Sequence, residues 1–422
     1  MLEDFIIEKA KAHELSQENY YEIVDYLLKN GADKSATKIF LALDSFGMSK
    51  REVLYLALAI RDSGRVIKYN QPIFEKHSTG GIGDSSSLVL IPLLACLGYK
   101  VIKTTAKSLV FTNGSADRFK AIPNFRVKLT DEEIKNVLDE TNACILSHNG
   151  DICPADRILF EIIEKNRLES NINFLTASIV AKKLASGAKL VLVDVKYGQA
   201  AIVKSYLKAK KMAKLLKYLF SKCDVRSIIV LTNTVQTFGE GIGNSAEVVD
   251  ALNTLQGKKG LLREVSSRFA VEMITSANPK ITRQDAYDMV YSALDNGSAY
   301  QRFLEIVHCQ GGDEKILEEA KLFKPYKSVN FISDRDGYIG SINSLLLGEL
   351  VRRLCSISHD DNLGIVLRVK IGDYVRKGDI ILSYYYKNDE DLNRYKKAIL
   401  GCIGITDKKI KPVNPIKKVI KG

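Results

Sequence analysis

The sequence predicts an α/β protein with three parts: a small all-helical domain, a large α/β domain with a mixed sheet, and a C-terminal β-rich subdomain. Apolar residues recur with helical spacing throughout residues 2–65. From residue 66 onward, short strand-like runs alternate with longer amphipathic segments, and residues 331–422 carry short runs separated by Gly-Asp pairs. Alternating strands and helices are typical of a sheet covered by helices on its faces.

The N-terminal segment divides into three predicted helices, at residues 15–30, 36–46 and 50–63. Asp33 and Ser49 stand at cap positions before the second and third of these helices. A glycine separates each helix from the next segment, because glycine readily takes the backbone conformations that end a helix: Gly31, Gly47 and Gly64.

The central region alternates between the two kinds of element. The predicted strands lie at residues 66–74, 101–105, 143–147, 190–195 and 227–231. The predicted helices lie at residues 88–97, 131–141, 212–222 and 245–255, with a further helical stretch at 154–186. Ligands of such sheets bind at the loops beyond the strand ends. The C-terminal runs around Asp336-Gly337, Gly372-Asp373 and Gly378-Asp379 predict short strands and tight turns, with a structural role.

Composition places the chain among ordinary globular proteins, with 46% apolar and 27% charged residues. No apolar run is long enough to span a membrane and the N-terminus is acidic, so we expect a cytoplasmic protein without a membrane partner. The seven cysteines show no Cys-x-x-Cys spacing, which predicts reduced thiols and no zinc site. The net charge of +12 is spread along the chain and not gathered into one stripe with aromatic residues, so we expect no nucleic-acid partner. An acidic small-molecule substrate would also be drawn to a basic protein, so the charge itself does not decide the substrate.

Residues 75–87 carry the densest set of phosphate-binding groups in the sequence. They read Glu-Lys-His-Ser-Thr-Gly-Gly-Ile-Gly-Asp-Ser-Ser-Ser. The glycines allow the backbone to approach a ligand closely, Lys76 supplies a positive charge, and the hydroxyl groups donate hydrogen bonds to phosphate oxygens. The apolar helix that follows would point its N-terminal dipole at the same anion. The pattern predicts an anion site here.

Several motifs, in one order along the chain, resemble those of the thymidine and pyrimidine-nucleoside phosphorylases. The first is Lys-His-Ser-Thr-Gly-Gly-Ile-Gly-Asp at residues 76–84. The others lie at residues 154–156, 176–179, 182–185, 194–196, 243–248 and 372–379. The resemblance implies a small helical domain, from residues 1–65 and 154–186, facing an α/β domain, from residues 66–153 and 187–330, with the β-rich subdomain at residues 331–422. It also implies a homodimer.

The resemblance implies the reaction of a pyrimidine nucleoside with inorganic phosphate, giving a free base and a pentose 1-phosphate without any required cofactor. The phosphate ligands it implies are Lys76, Ser78, Ser87, Thr105 and Ser115. It assigns His77 and Lys182 to catalysis, with His77 donating a proton or a hydrogen bond to the base carbonyl. The base would contact Leu109, Phe160, Ser178 and Lys182. A potassium ion would bind near Gly83, Ser85 and Asp250, as in some members of that family.

Two segments depart from the family pattern. Residues 105–115 lack most of the glycines that the family carries there. Ile163 stands where an arginine would bind the pyrimidine carbonyl, and Phe160 replaces a tyrosine. Loss of the arginine would leave a polar edge of the base unpaired, at a cost of about 1–3 kcal/mol. Arg167 offers a nearby guanidinium that could replace it.

Three hypotheses therefore follow from the sequence. The first is an active nucleoside phosphorylase. The second is a catalytically impaired paralogue that binds phosphate or nucleoside. The third is a phosphoribosyltransferase of the anthranilate type, which would require pyrophosphate and magnesium sites.

Overall fold

The computed structural model describes residues 2–105, 114–147, 150–318, 326–360 and 362–422. The helices are α1 (Leu2–Ala10), α2 (Gln17–Asn30), α3 (Lys34–Phe46), α4 (Lys50–Asp62), α5 (Ser86–Cys96), α6 (Ser115–Lys120), α7 (Asp131–Thr141), α8 (Pro154–Lys165), α9 (Ile172–Ala185), α10 (Tyr206–Lys222), α11 (Asn244–Leu255), α12 (Leu261–Ala277), α13 (Arg283–Asp295), α14 (Ser298–Cys309), α15 (Glu314–Glu318), α16 (Ser344–Ser358) and α17 (Asp389–Leu400). The strands are β1 (Ile73–Ser78), β2 (Lys100–Thr105), β3 (Ala143–Ser147), β4 (Ala188–Tyr197), β5 (Arg226–Asn233), β6 (Gly241–Ile242), β7 (Lys327–Ile332), β8 (Gly337–Ile342), β9 (Gly364–Leu367), β10 (Tyr374–Val375), β11 (Ile380–Tyr386), β12 (Ile403–Thr406) and β13 (Ile416–Lys421).

The main sheet has six strands in the order β13-β5-β4-β1-β2-β3. Strands β1 to β5 run parallel, and β13 pairs antiparallel with β5, so the sheet is mixed as predicted. The predicted α/β class is confirmed. Strands β2 and β3 lie on one side of β1, and the strands that follow in the chain, β4 and β5, lie on its other side. Strand order therefore reverses beside β1, and sheets of this kind bind their ligands at such a point, in a crevice beyond the carboxyl ends of the strands.

The N-terminal helices form one helical unit with α8 and α9. Helix α4 packs on α9, α2 on α4 and α8, and α1 on α3. Ser16 and Ser49 begin α2 and α4 with capping boxes, in which serine and the third helical residue satisfy each other's backbone N–H groups. The apolar side chains of this unit are continuous with those on one face of the main sheet. The unit therefore places α9 directly beside β4 and β1.

The C-terminal region is more helical than its turn pattern predicts. Two small sheets, β10-β8-β12 and β6-β9-β11-β7, pack with α16 and α17 around a separate apolar core. The sequence analysis did not predict helix α16, although its leucines at positions 347, 350 and 354 are buried on one face. After β12 the chain leaves this region, and β13 returns to the edge of the main sheet.

The first strand lies further along the chain than the sequence pattern indicates. The prediction of a strand at residues 66–74 is wrong for its first part, since β1 begins at Ile73 and runs through Lys76 and His77. Lys76 pairs with Leu192 and His77 with Val193 of β4. Hydropathy does not predict charged residues in a central strand, but here hydroxyl and carboxylate partners stabilise them. No helix in the described ranges has the length and apolar character needed to cross a membrane.

Candidate active site

Lys76 lies at the centre of the predicted anion site. Its Nζ donates hydrogen bonds of 3.0 Å each to the Oγ atoms of Ser86 and Ser87, at the start of α5. The Asp84 carboxylate lies 3.6 Å from the same ammonium. Burial lowers the pKa of Lys76 despite this carboxylate. The structure thus brings together Lys76 and Ser87, two of the predicted phosphate ligands, under the N-terminus of a helix.

The loop after β1 is organised by Asp84, which sequence analysis gave no role. Ser78 Oγ donates to Asp84 Oδ2 at 2.9 Å, and the Ser86 N–H donates to Asp84 Oδ1 at 3.2 Å. Gly80 and Gly83 have φ values of 94° and 62°, which favour glycine. Burial alone would raise the pKa of Asp84, but Lys196, Lys76 and Arg118 hold it well below its usual value. Asp84 therefore stays ionised and orients the hydroxyl groups of the loop.

The remaining predicted phosphate ligands lie at the end of β2 and just beyond it. The pairing of Phe74 with Val101 puts Thr105 on the same sheet face as Ser78, because side chains alternate along neighbouring strands. Thr105 is buried. The backbone of Ser115 begins α6, but its side chain lies outside the described structure, and so does Leu109, within the altered segment 106–113.

The site holds more buried cations than the sequence motifs indicate. Five buried cations each have a carboxylate partner: Lys76 with Asp84, Lys182 with Asp156, Lys183 with Glu75, Lys196 with Asp194 and Arg118 with Glu247. Lys103, in the middle of β2, is a sixth. Its Nζ donates to the Thr104 carbonyl oxygen at 2.7 Å, and it has no carboxylate partner among the described residues. Burial, with Lys183 nearby, lowers the pKa of Lys103 well below its usual value.

Sequence analysis missed Lys103 as a site residue, although one signal was available. A lysine interrupts the otherwise uncharged run Val101–Thr105 in a strand that reads as buried. The strand register places Lys103 on the sheet face of Lys76, two residues before Thr105. The side chain of Lys103 therefore starts from the same sheet face as the predicted phosphate ligands, and Lys76 is among the charges that act on it.

His77 occupies the opposite face of β1 from Lys76, because successive side chains of a strand alternate. Its Nδ1 atom is buried and has no hydrogen-bond partner among the described residues. Burial lowers the pKa of His77 well below 6.5, and Lys183, Lys103 and Lys182 lower it further. The imidazole is therefore neutral at pH 7 and can donate a hydrogen bond, but it does not carry a second proton to give away.

The predicted base-binding residues meet on the facing helices. Lys182 Nζ lies 2.6 Å from Ser178 Oγ and 2.9 Å from Asp156 Oδ2, and 4.8 Å from the centre of the Phe160 ring. Ser178, Lys182 and Phe160 therefore form one cluster on α8 and α9. Ile163, by contrast, has no exposed surface and packs in the core of the helical unit. Arg167 lies beyond the end of α8 with an exposed side chain.

The three residues predicted for potassium lie close to another cation. Gly83 O accepts a hydrogen bond from the Gly239 N–H at 3.1 Å, and Asp250 Oδ2 accepts one from the Glu240 N–H at 2.9 Å. Ser85 O accepts from the N–H groups of Leu88 and Val89 at 2.9 and 3.3 Å. The side chain of Lys370 reaches this loop from the C-terminal region and donates to Gly239 O.

Comparisons with known proteins agree with this arrangement. The sequence profile of a family described as "Glycosyl transferase family, a/b domain" matches residues 70–300. Pyrimidine-nucleoside phosphorylase of Geobacillus stearothermophilus is 28% identical over 415 residues, covering 96% of each chain. The enzyme of that name from Staphylococcus haemolyticus is 28% identical, covering 95% of each chain. The resemblance drawn from the motifs is thus confirmed.

A solved structure shares the fold alone. Anthranilate phosphoribosyltransferase from Thermus thermophilus superposes with a TM-score of 0.59 at 18% identity, covering 72% of this chain and 98% of the other.

Proposed function

Because the chain belongs to this glycosyl transferase family, we propose that it catalyses the phosphorolysis of a pyrimidine nucleoside, giving a free base and a pentose 1-phosphate. The family membership makes it a pentosyltransferase; the nucleoside and phosphate substrates are the proposal. Its relatives of known name, matched over nearly their whole length, support this choice of reaction.

One observation carries the proposal: the unbalanced charge around Lys76. Buried lysines are costly unless paired, so a cluster with one more cation than carboxylates is best compensated by an anion. The cation in excess is Lys103, on the sheet face of Lys76 and Thr105. The hydroxyls of Ser87, which accepts from Lys76 and keeps its own proton to donate, and of Thr105 suit a tetrahedral oxyanion, and Ser78 would join them by turning its proton away from Asp84. Inorganic phosphate meets both requirements.

One end of the crevice would bind the attacking phosphate, and the other end would stabilise the leaving base. Phosphate held by Lys76 attacks C1′ of the sugar while the bond to the base breaks, so negative charge grows on the base. The Lys182 ammonium, oriented by Asp156 and Ser178, would stabilise that charge as the base leaves. The neutral His77 would donate a hydrogen bond to the base or sugar. We propose that no cofactor takes part.

Among the described residues, hydrogen bonds to the pyrimidine would come from Ser178 and Lys182, with the Phe160 ring beside them. Ile163 is buried in the helical core and Arg167 is exposed, so we propose that neither residue contacts the base. Because no guanidinium binds the base here, we expect the site to discriminate among pyrimidines less strongly than a site that has an arginine at this position.

Two copies of the chain would form the working enzyme. Ile7 on α1 and Phe46 at the end of α3 are more than half exposed, at 52% and 53%, and Leu41 on α3 is 40% exposed. Because α1 and α3 pack together, these side chains offer an apolar surface for a second copy. Light scattering on the purified protein would give the mass of a dimer.

Release of free base from thymidine, uridine and deoxyuridine, with and without phosphate, tests the reaction. Phosphate-dependent release supports it, and Lys76→Met should abolish that release because Lys76 touches the attacking anion. A matched control is Lys68→Met, which changes an exposed lysine before β1. Phosphate binding without release from any nucleoside would indicate an impaired paralogue. Turnover that requires phosphoribosyl pyrophosphate and magnesium would indicate the transferase.

A further inference from the structure

Lys370 lies in the connection between β9 and β10 and inserts its ammonium group into a cage of oxygen atoms. Its Nζ lies 3.1 Å from Thr237 O, 3.1 Å from Thr237 Oγ1 and 2.5 Å from Gly239 O. Two main-chain carbonyls and a hydroxyl are the kind of ligands that a monovalent cation takes in proteins. An ammonium group carries the same charge as potassium and has a similar size, so it can occupy such a cage.

The surroundings of the cage are acidic, which keeps the ammonium charged. Burial lowers the pKa of Lys370 to about 8, while Asp250, Glu240 and Asp373 oppose the shift and Lys258 adds to it. Lys370 is therefore mostly cationic at pH 7. Burial and Glu240 raise the pKa of Asp250, whereas Lys370 lowers it. The lysine and the aspartate predicted to bind potassium thus interact with each other.

The cage is connected to the phosphate site by short contacts. The Gly239 N–H donates to Gly83 O at 3.1 Å. Gly83 also packs against Thr237, so closely that a Cβ at Gly83 would lie 2.6 Å from the Thr237 methyl carbon. Gly83 precedes Asp84, whose carboxylate accepts from Ser78 and Ser86. A shift of the 237–239 segment would therefore move the loop that holds the phosphate ligands.

The residues predicted for a potassium ion do not fit one in this chain. The carbonyl oxygens of Gly83 and Ser85 and Oδ2 of Asp250 already accept backbone hydrogen bonds, and the positive charge that Asp250 attracts is on Lys370. Of the hydroxyl groups here, the buried Ser85 Oγ has no partner among the described residues, whereas Thr237 Oγ1 is taken by Lys370. We propose that the Lys370 ammonium takes the place of a bound potassium ion and positions the phosphate loop. The inference rests on the proposed function only in assigning that loop to phosphate. It makes the protein independent of added potassium.

The test compares the wild type, Lys370→Ala and Lys370→Met in chlorides of choline, sodium, potassium and ammonium at constant ionic strength. Lys377→Ala removes an exposed lysine from the same region and serves as the matched control. Phosphate affinity is measured by calorimetry and the midpoint of thermal unfolding by fluorescence. Neither measurement needs a nucleoside, so absence of turnover would count against the proposed reaction and not against this inference.

We expect the wild type and Lys377→Ala to give the same values in all four salts. In choline, Lys370→Ala should bind phosphate about tenfold or more weakly, since it loses a charged hydrogen-bond donor. Potassium or ammonium should restore most of that affinity and raise the unfolding midpoint. Lys370→Met should stay impaired in every salt, because its side chain fills the route to the cage.

Three results would overturn the inference. A saturable increase of wild-type affinity or unfolding midpoint with potassium would show that an ion binds despite Lys370. Full phosphate affinity of Lys370→Ala in choline would exclude a positioning role. Impairment of Lys370→Ala that neither potassium nor ammonium relieves would exclude replacement of an ion. If Lys370→Ala does not fold, the wild-type salt series and Lys370→Met still decide the outcome.

Discussion

Replacing Lys103 by methionine should separate phosphate binding from folding stability. The Lys103 ammonium makes one hydrogen bond, 2.7 Å long, to the Thr104 carbonyl, and no carboxylate in the described part of the chain pairs with it. Methionine has a side chain of similar length without the charge. Removing a buried lysine that lacks a partner should leave the free energy of unfolding unchanged or raise it by about 1–3 kcal/mol.

Phosphate binding should change in the opposite direction. Loss of a charge-assisted hydrogen bond to the anion costs about 1.5–3 kcal/mol, which weakens binding about 10- to 150-fold. Calorimetric titration with phosphate and with sulfate measures this loss. Sulfate is useful because its charge does not change near neutral pH, so any proton uptake comes from the protein.

Proton uptake provides an independent measure of the same residue. Burial and the neighbouring Lys183, Lys76 and Lys182 lower the pKa of Lys103 and Glu75 raises it, while His77 also lies nearby. An anion in the site stabilises the charged form of Lys103, so binding takes up a proton, and affinity falls as pH rises from the pKa of the free protein to the higher pKa of the complex. Above the lowered pKa of free Lys103, the wild type should take up a proton with sulfate, measured across a range of pH in buffers of different ionisation enthalpy, and Lys103→Met should not.

Lys100→Met is the matched control, because Lys100 also lies on β2 and donates to a carbonyl, that of Leu138 at 2.7 Å, but at the other end of the strand. It should leave anion affinity unchanged. Anion affinity of Lys103→Met within about twofold of wild type would refute the assignment, since it lies well inside the loss expected for one charged hydrogen bond. A large loss of stability in Lys103→Met would show that Lys103 is needed for the fold.

Three further predictions concern the other site residues. The folded-state pKa of His77 lies well below 6.5, so below that pH the unfolded chain binds a proton that the folded protein does not. The free energy of unfolding, measured by denaturant titration, should therefore fall as pH drops through 6.5, and His77→Gln should remove the share of this fall that comes from His77. Ser178→Ala should raise the KM for nucleoside about 2- to 10-fold without changing phosphate affinity, since Ser178 contacts only the Lys182 end of the crevice; equal losses of both would contradict the proposed division. Burial raises the pKa of Glu247 to about 7 despite Arg118, so protonation of Glu247 should increase the free energy of unfolding as pH falls from about 7 to 4.5. Glu247→Gln should show a smaller increase over that range, and a pH profile like that of the wild type would argue against the raised pKa.

Much of the fold was predictable from local pattern. Helix α7 and strand β3 have the predicted bounds, because a capping threonine and a left-handed asparagine mark the helix ends and an uncharged run forms the strand. The predicted position of strand β1 was too early in the chain, because the second half of the strand carries charged residues that hydropathy does not assign to a strand. Its glutamate and lysine, Glu75 and Lys76, are stable there because α9 and α5 supply partners from other parts of the chain.

Prediction of the site residues from the sequence was limited in the same way. Motifs identified Lys76, Ser87, Ser178 and Lys182, which the structure brings into two clusters on either side of β1. Lys103 and Lys370 belong to no motif. Their importance depends on what surrounds an amine after folding, a missing carboxylate in one case and a ring of oxygens in the other. Such surroundings come from segments far apart in the chain and leave no local pattern.

The return of β13 to the main sheet has a consequence for synthesis of the protein on the ribosome. Until residues 416–421 have emerged, β5 is an edge strand whose outward N–H and C=O groups have no partner. The α/β domain therefore completes its sheet only after residues 416–421 have left the ribosome, although most of that domain is made much earlier. Truncation after β12 should therefore yield an aggregating protein.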